Sequence, residues 1–375
     1  MYPDKRISHL SKQSCSNFYK LLNDVKKNPC CLALGAGVSA TVGLPLWVTL
    51  LKKICYCYFS QWAMGISSGK ETVTRPPDNV SIALTNGYDS YILKKEHPEC
   101  FENIFEDIFK DVEYWVNGHK LSKEETERIN KRMIKSEQLI EQLQDSFMEK
   151  IMSGNLTIIA QMIKNNVRPK DWNYLVRKSL YSSYEDNPYE LQVSSLYDSL
   201  ITLVSQYGIR SIINYNYDDT FYHALKECGH KFQNYYQKMS VHSNKRIYYP
   251  HGYIPMKGGV VTDIVLSEDD YQQQIFNQNL WSNNIQISNF ISNTCIFVGL
   301  SMDDPNIRRL IRMSNQAGQY KHYAFLPMSG EDEAAIMCDS LYDIDLYRLG
   351  IRSIRYPKNN NYEDLPKLIN VLCEI

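Results

Sequence analysis

The sequence predicts an α/β protein, a doubly wound parallel sheet of the Rossmann-like kind with a helical insertion. Three observations predict it. Short apolar runs recur at 30–34, 209–213, 247–252, 294–300, 322–326 and 351–354. Segments with helical spacing separate most of them, and such alternation implies parallel strands joined by right-handed crossovers. Gly35, Asn216, His251 and Ser301 stand at or just past the ends of four of these runs. Ligands bind outside the carboxyl ends of such strands, so these positions point to one edge of the sheet.

In chain order, Phe18, Leu21, Leu22 and Val25 share one face of a first helix within 7–28. Cys30 to Leu34 reads as a buried parallel strand. Gly35-Ala36-Gly37 follows, then Ser39, Gly43-Leu44-Pro45 and Trp47. Glycines permit a sharp turn and a close backbone approach to a ligand. Pro45 suits the first turn of a helix, continued by the apolar stretch 48–59. The reading is a strand, a phosphate-cradling loop and a helix N-terminus that favours an anion.

Residues 65–90 are rich in Gly, Pro, Ser, Thr and Asn and read as a long loop. Over 101–160, apolar sets such as Ile104, Ile108 and Val112 mark amphipathic helices with charged outer faces. A further helix covers 191–206. At 375 residues the chain exceeds the usual single domain. The expected division is a Rossmann-like domain from 1–60 and 205–375, with a mostly helical insertion over 61–204. After the strand at 209–213 a helix runs from near Asp219 to Glu227. Ser267 and Asp270 form a capping-box pattern ahead of another helix. Asp303 or Asp304 caps a helix at Pro305 that turns Ile307, Leu310 and Ile311 inward. A last helix closes the chain at 364–372.

The formal net charge is −1, which argues against a broad basic surface for nucleic acid. No apolar run approaches the ~18–20 residues that span a bilayer, and a cytoplasmic protein is expected. The ten cysteines include no CxxC pair. Buried reduced thiols are expected, and no metal.

Asn216 and Asp218 place an amide and a carboxylate two residues apart on one side of an extended segment. An amide both donates and accepts, so it can fix a ribose hydroxyl or a carboxamide. Helix capping is the plainer role for both. His251, between Pro250 and Gly252, is a base that titrates near neutral pH. Gly299-Leu300-Ser301 ends another apolar run.

The string from Gly35-Ala36-Gly37-x-Ser39 to Leu44-Pro45-x-Trp47 resembles the nucleotide-binding signature of sirtuins. Asn216-x-Asp218, His251-Gly252 and Gly299-x-Ser301 resemble further sirtuin motifs, in the same order. The resemblance implies that Gly35, Ala36, Gly37, Ser39, Leu44, Pro45 and Trp47 bind NAD+. It implies that Asn216 orients the nicotinamide ribose or the attacking water, that Asp218 helps hold nicotinamide, and that His251 is the base. Gly299 and Ser301 would contact the adenosine ribose and phosphates, with a possible ribose contact at Asp303. Sirtuin deacylases carry a zinc ribbon built on two CxxC pairs, which this chain lacks. The chain is closer to zinc-less sirtuin-like proteins of bacterial antiviral defence, of the HerA-associated or Thoeris type. The resemblance therefore implies an NAD+ glycohydrolase that depletes NAD+, a homo-oligomer, and a separate activating partner such as a HerA-type ATPase. The alternative is a subunit that binds NAD+ or ADP-ribose without turnover; a protein deacylase ranks third.

Overall fold

The computed structural model describes residues 5–55, 58, 155–184, 194–237, 242–259, 261–277, 279–316, 321–358 and 362–374. The loop expected at 65–90 and the helical pattern over 101–154 lie outside the described residues. The chain divides into two compact units: Met1–Gly43 with Leu191–Val265 and Tyr271–Ile375, and Leu44–Glu190 with Leu266–Asp270.

The first unit is built on a sheet of seven parallel strands among the described residues. In chain order it contains α1 (Lys12–Lys27), β1 (Cys30–Leu34), α2 (Ala36–Ala40) and, after the second unit's residues, α3 (Ser195–Gln206). Then follow β2 (Ser211–Asn214), α4 (Thr220–Glu227), β3 (Gln233–Tyr235) and β4 (Arg246–Tyr248). A helix at Glu268–Phe276 straddles the division between units. Next come α5 (Trp281–Ser292), β5 (Thr294–Val298), α6 (Pro305–Ser314) and β6 (His322–Pro327). The unit closes with α7 (Glu333–Arg348), β7 (Ile351–Tyr356) and α8 (Asp364–Glu374).

The sheet order is β3-β4-β2-β1-β5-β6-β7. Chain order steps outward one way from β1 to β2, then returns to β5 and steps the other way. The reversal lies between β1 and β5, the topological switch point where open α/β sheets bind ligands. β1 and β5 are buried along their whole length, as strands covered on both faces must be. α1 buries Phe18, Leu21, Leu22 and Val25, and packs on β7. α3 packs on α8, and α5 on α6. Cys30, Cys31 and Cys295 are buried free thiols, and burial pushes Cys30 up to about 12. Among the described residues no helix is long and apolar enough to cross a membrane.

In the second unit, residues 47–55 are helical. Helices at Leu156–Lys164 and Pro169–Leu180 follow. Asp270 accepts from the Ser267 backbone N–H at 3.0 Å and from its hydroxyl at 2.6 Å, the reach-back half of the expected capping box. Lys164 ties to the same carboxylate at 2.5 Å.

His322 opens β6 within a wall of Phe290 and Phe297. Its Nδ1 accepts from the Cys295 backbone N–H at 3.2 Å, and burial lowers its pKa to about 4. The folded protein keeps this imidazole neutral, whereas the unfolded chain protonates it near pH 6.5. Stability is therefore expected to fall by about 3 kcal/mol as pH drops from about 6.5 to about 4, and this contribution levels off below. Urea midpoints across that range check it. His322→Asn keeps an acceptor near Nδ1 and should flatten the slope.

Candidate active site

Four of the strand ends read from the sequence lie side by side, because β4, β2, β1 and β5 are consecutive in the sheet. His251 follows β4, Asn216 and Asp218 follow β2, Gly35 to Ser39 follow β1, and Gly299 and Ser301 follow β5. The span is three inter-strand spacings, about 14 Å.

The densest part joins the ends of β1 and β2. The Asn216 Nδ2 donates to the Gly35 carbonyl at 2.9 Å and to the Ser39 Oγ at 2.8 Å. Ser39 in turn donates to Asp218 Oδ2 at 2.7 Å. The order is directional, amide to hydroxyl to carboxylate. A carbonyl can only accept, so the nitrogen of Asn216 must face Gly35. Its Oδ1 therefore points the other way and has no hydrogen-bond partner among the described residues. Asn214, the last residue of β2, supports both neighbours. Its Oδ1 accepts from the Asn216 N–H at 3.1 Å, and its Nδ2 donates to the Asp218 carbonyl at 3.2 Å. The alternating Asn-x-Asn-x-Asp pattern was the available signal.

Asp218 also performs the plainer role. Its Oδ1 accepts from the Thr220 N–H at 3.1 Å and from the Thr220 hydroxyl, so it caps α4. Asp219, at the N-cap position, makes no side-chain cap bond. Burial pushes the Asp218 carboxyl above its ordinary range, while hydrogen bonds from Thr220 and Ser39 oppose the rise.

His251 is placed by its backbone. Its carbonyl accepts from the Val265 N–H at 2.8 Å, and the Pro250 carbonyl accepts from Gln274 Nε2 at 2.8 Å. Gln274 is tied to Asn306 at 3.0 Å, and Asn283 donates to the Gln274 carbonyl at 2.7 Å. Gly252 is required after the histidine: its φ is +106°, and a Cβ would lie 2.5 Å from the Asp263 carbonyl oxygen. The imidazole meets Tyr215 and Tyr271 edge-on, with centroids 5.2 and 5.8 Å away. Its Nε2 is buried and has no hydrogen-bond partner. Burial lowers its pKa, and Asp304 opposes that drop. The result is a neutral, unpartnered imidazole nitrogen, and a buried polar atom left so needs an explanation.

The glycines at the switch point are required by the packing of the chain itself. A Cβ on Gly35 would lie 2.4 Å from the Gly299 carbonyl oxygen, and one on Gly37 3.0 Å from the Gly299 Cα. The loops after β1 and β5 thus meet backbone to backbone. The Gly35 N–H donates to Val298, Gly37 to Gly299, and Val38 to Gly35. Among the described residues the Ala36 N–H of this turn has no backbone acceptor. The chain also enters α2 directly after Gly35, a helix the sequence reading did not foresee. Pro45 does not open the next helix, which starts at 47. Leu44, Pro45 and Trp47 belong to the second unit.

Ser301 is exposed, and the Tyr342 hydroxyl of α7 lies 2.9 Å from both its carbonyl and Asp303 Oδ1. Asp304 is the cap of α6, accepting from Asn306 and Ile307 N–H at 2.8 and 2.9 Å. No cluster of His, Cys, Asp and Glu suited to a metal occurs among the described residues.

A neutral buried imidazole and a rigidly held amide oxygen, on adjacent strand ends, suit a polar ligand with hydroxyls and a leaving group. No curated protein matches the chain. Residues 210–347 match the family model of the SIR2-like domain, a stretch holding Asn216, Asp218, His251, Gly299 and Ser301, and over these residues the chain is similar to that family.

Proposed function

We propose that the protein is an NAD+ glycohydrolase, cleaving NAD+ to ADP-ribose and nicotinamide as an effector of bacterial antiviral defence. The observation that carries this reading is the buried His251 Nε2 without a partner, one strand away from the free Oδ1 of Asn216. The SIR2-like match supports NAD+ as substrate. The absence of CxxC pairs in the sequence favours hydrolysis over deacylation.

The glycosidic C–N bond breaks with its electron pair passing to the pyridinium nitrogen. Nicotinamide leaves neutral, so no acid is required. The transition state is oxocarbenium-like, as in other glycoside cleavages. Water forms the new C–O bond and gives a proton to Nε2 of His251, which returns it to solvent. Asn216 Oδ1 accepts from that water or from a ribose hydroxyl. Both carboxylate oxygens of Asp218 already accept from protein donors. Its part here is therefore to hold Ser39 and, through it, the Asn216 amide. Ala36 N–H is a donor for a phosphate oxygen, and the β5 end at Gly299 and Ser301 faces the adenosine side. Activation rests on a separate partner, a HerA-type ATPase first, or on assembly.

Free nicotinamide, measured after incubating the purified protein with NAD+ with and without that ATPase, tests the proposal. NAD+ binding with no nicotinamide in either case would favour the non-catalytic subunit. Asn216→Ala is expected to lower turnover about 100-fold, since misplacing one reacting group costs that much. Ser39→Ala should lower it less, by about tenfold, because Gly35 still holds the amide. Equal losses in the two variants would count against the relay.

A further inference from the structure

We propose that the outward face of α7 is a two-fold interface between two copies of this chain. Its inward face is fully used. Leu346 is buried in the core, Asp339 accepts from Ser329 and pairs with Arg355, and Asp343 pairs with Arg355. The outward face is nevertheless apolar. Ile336, Met337, Leu341, Ile344 and Tyr347 are 47, 62, 61, 54 and 66 % exposed. A helix face that is apolar suits burial.

The exposed side chains amount to roughly 600 Å² of apolar surface, the upper end of what a soluble monomer leaves in one patch. Two such faces bury about 1,200 Å², the lower end of a stable interface. The occupant that fits is the same face of a second copy, because the pattern is self-complementary. Glu333 and Arg348 are both exposed, sit at opposite ends of the same arc, and have no ion partner among the described residues. A two-fold axis between Ser340 and Leu341, with the helices antiparallel, sets each Glu333 against the other copy's Arg348. It sets Met337 against Ile344. An isologous contact requires this reciprocity, and antiparallel helix dipoles favour it. Ser340, at the centre, is small, and its hydroxyl is already bonded to the Ile336 carbonyl at 2.8 Å. The middle of the interface thus holds no unpaired polar group.

Sedimentation equilibrium of the full chain over the micromolar range tests this by mass, independently of any turnover of NAD+. The wild-type protein is expected to associate. Leu341→Asp should raise the dissociation constant about 30-fold or more, as for a central interface residue. Glu333→Arg and Arg348→Glu should each weaken association, and the double variant should restore it. All three positions are exposed, so an unchanged circular dichroism spectrum accompanies each result. A wild-type monomer throughout the range overturns the proposal. So does association indifferent to Leu341→Asp, which would place the contact elsewhere, or a double variant that fails to restore the pair. In the last two cases another partner, protein or membrane surface, takes the apolar face.

Discussion

Replacing His251 with Ala or with Phe is expected to abolish nicotinamide release from NAD+ while leaving the protein folded. Loss of a general base costs about 10²–10⁴-fold in rate. The fold should tolerate the change because Nε2 has no hydrogen-bond partner to lose. What Ala does remove is ring packing against Tyr215 and Tyr271. His251→Phe restores that packing without the base, so the pair separates a packing defect from a chemical one. Full hydrolysis by either variant removes His251 from the mechanism. The pH profile carries a second signature. Burial lowers the imidazole pKa. The base therefore stays neutral below the ordinary histidine range, and kcat/KM should hold level on the acid side of pH 6.5 before it falls. A profile that declines at a higher pH would show the imidazole charging more easily than its burial allows.

The residues carrying the fold were legible where burial on both sides leaves an unbroken apolar string. β1 and β5 are such strings, buried at every position. β3 was not seen, because Gln233-Asn234-Tyr235 is a half-buried edge strand with no apolar run. α5 was missed for a different reason: Ser282, Asn283, Gln286 and Asn289 are buried on it. Buried amides and hydroxyls do not register as a hydrophobic stripe. α7 hid because its apolar residues fall on both faces. Residues 261–266 form no strand, although the Val265 N–H donates to the His251 carbonyl. The placement of Asn216, Asp218 and His251 at one sheet edge was legible because a parallel sheet makes the position just past a strand end informative. Their supports were not, since Gln274, Asn283 and Asn306 are far away in sequence and ordinary in type.

Glycine is where one sequence signal serves two physical causes, and Gly299→Ala distinguishes them. A glycine needed only for ligand approach loses binding on substitution and keeps stability. Gly299 has φ +70°, and a Cβ there would lie 2.6 Å from the Val38 backbone nitrogen. The left-handed conformation costs an L-residue roughly 1–2 kcal/mol. Forcing backbone apart in a packed region adds about 1–3 kcal/mol. A loss of about 2–5 kcal/mol is expected, a large part of the ~5–15 kcal/mol that holds a domain folded. At 2–4 °C per kcal/mol for a unit of this size, Tm should drop by about 10 °C. Gly208 supplies the control. Its φ is +59°, but nothing lies within 4 Å of its Cβ position. Gly208→Ala should therefore cost only the conformational part, about 1–2 kcal/mol. If the two variants melt together, the contact between the β1 and β5 loops contributes nothing measurable. If Gly299→Ala melts far lower, the close approach of these loops is itself a structural requirement, and the site at the switch point stands on a backbone-to-backbone seam.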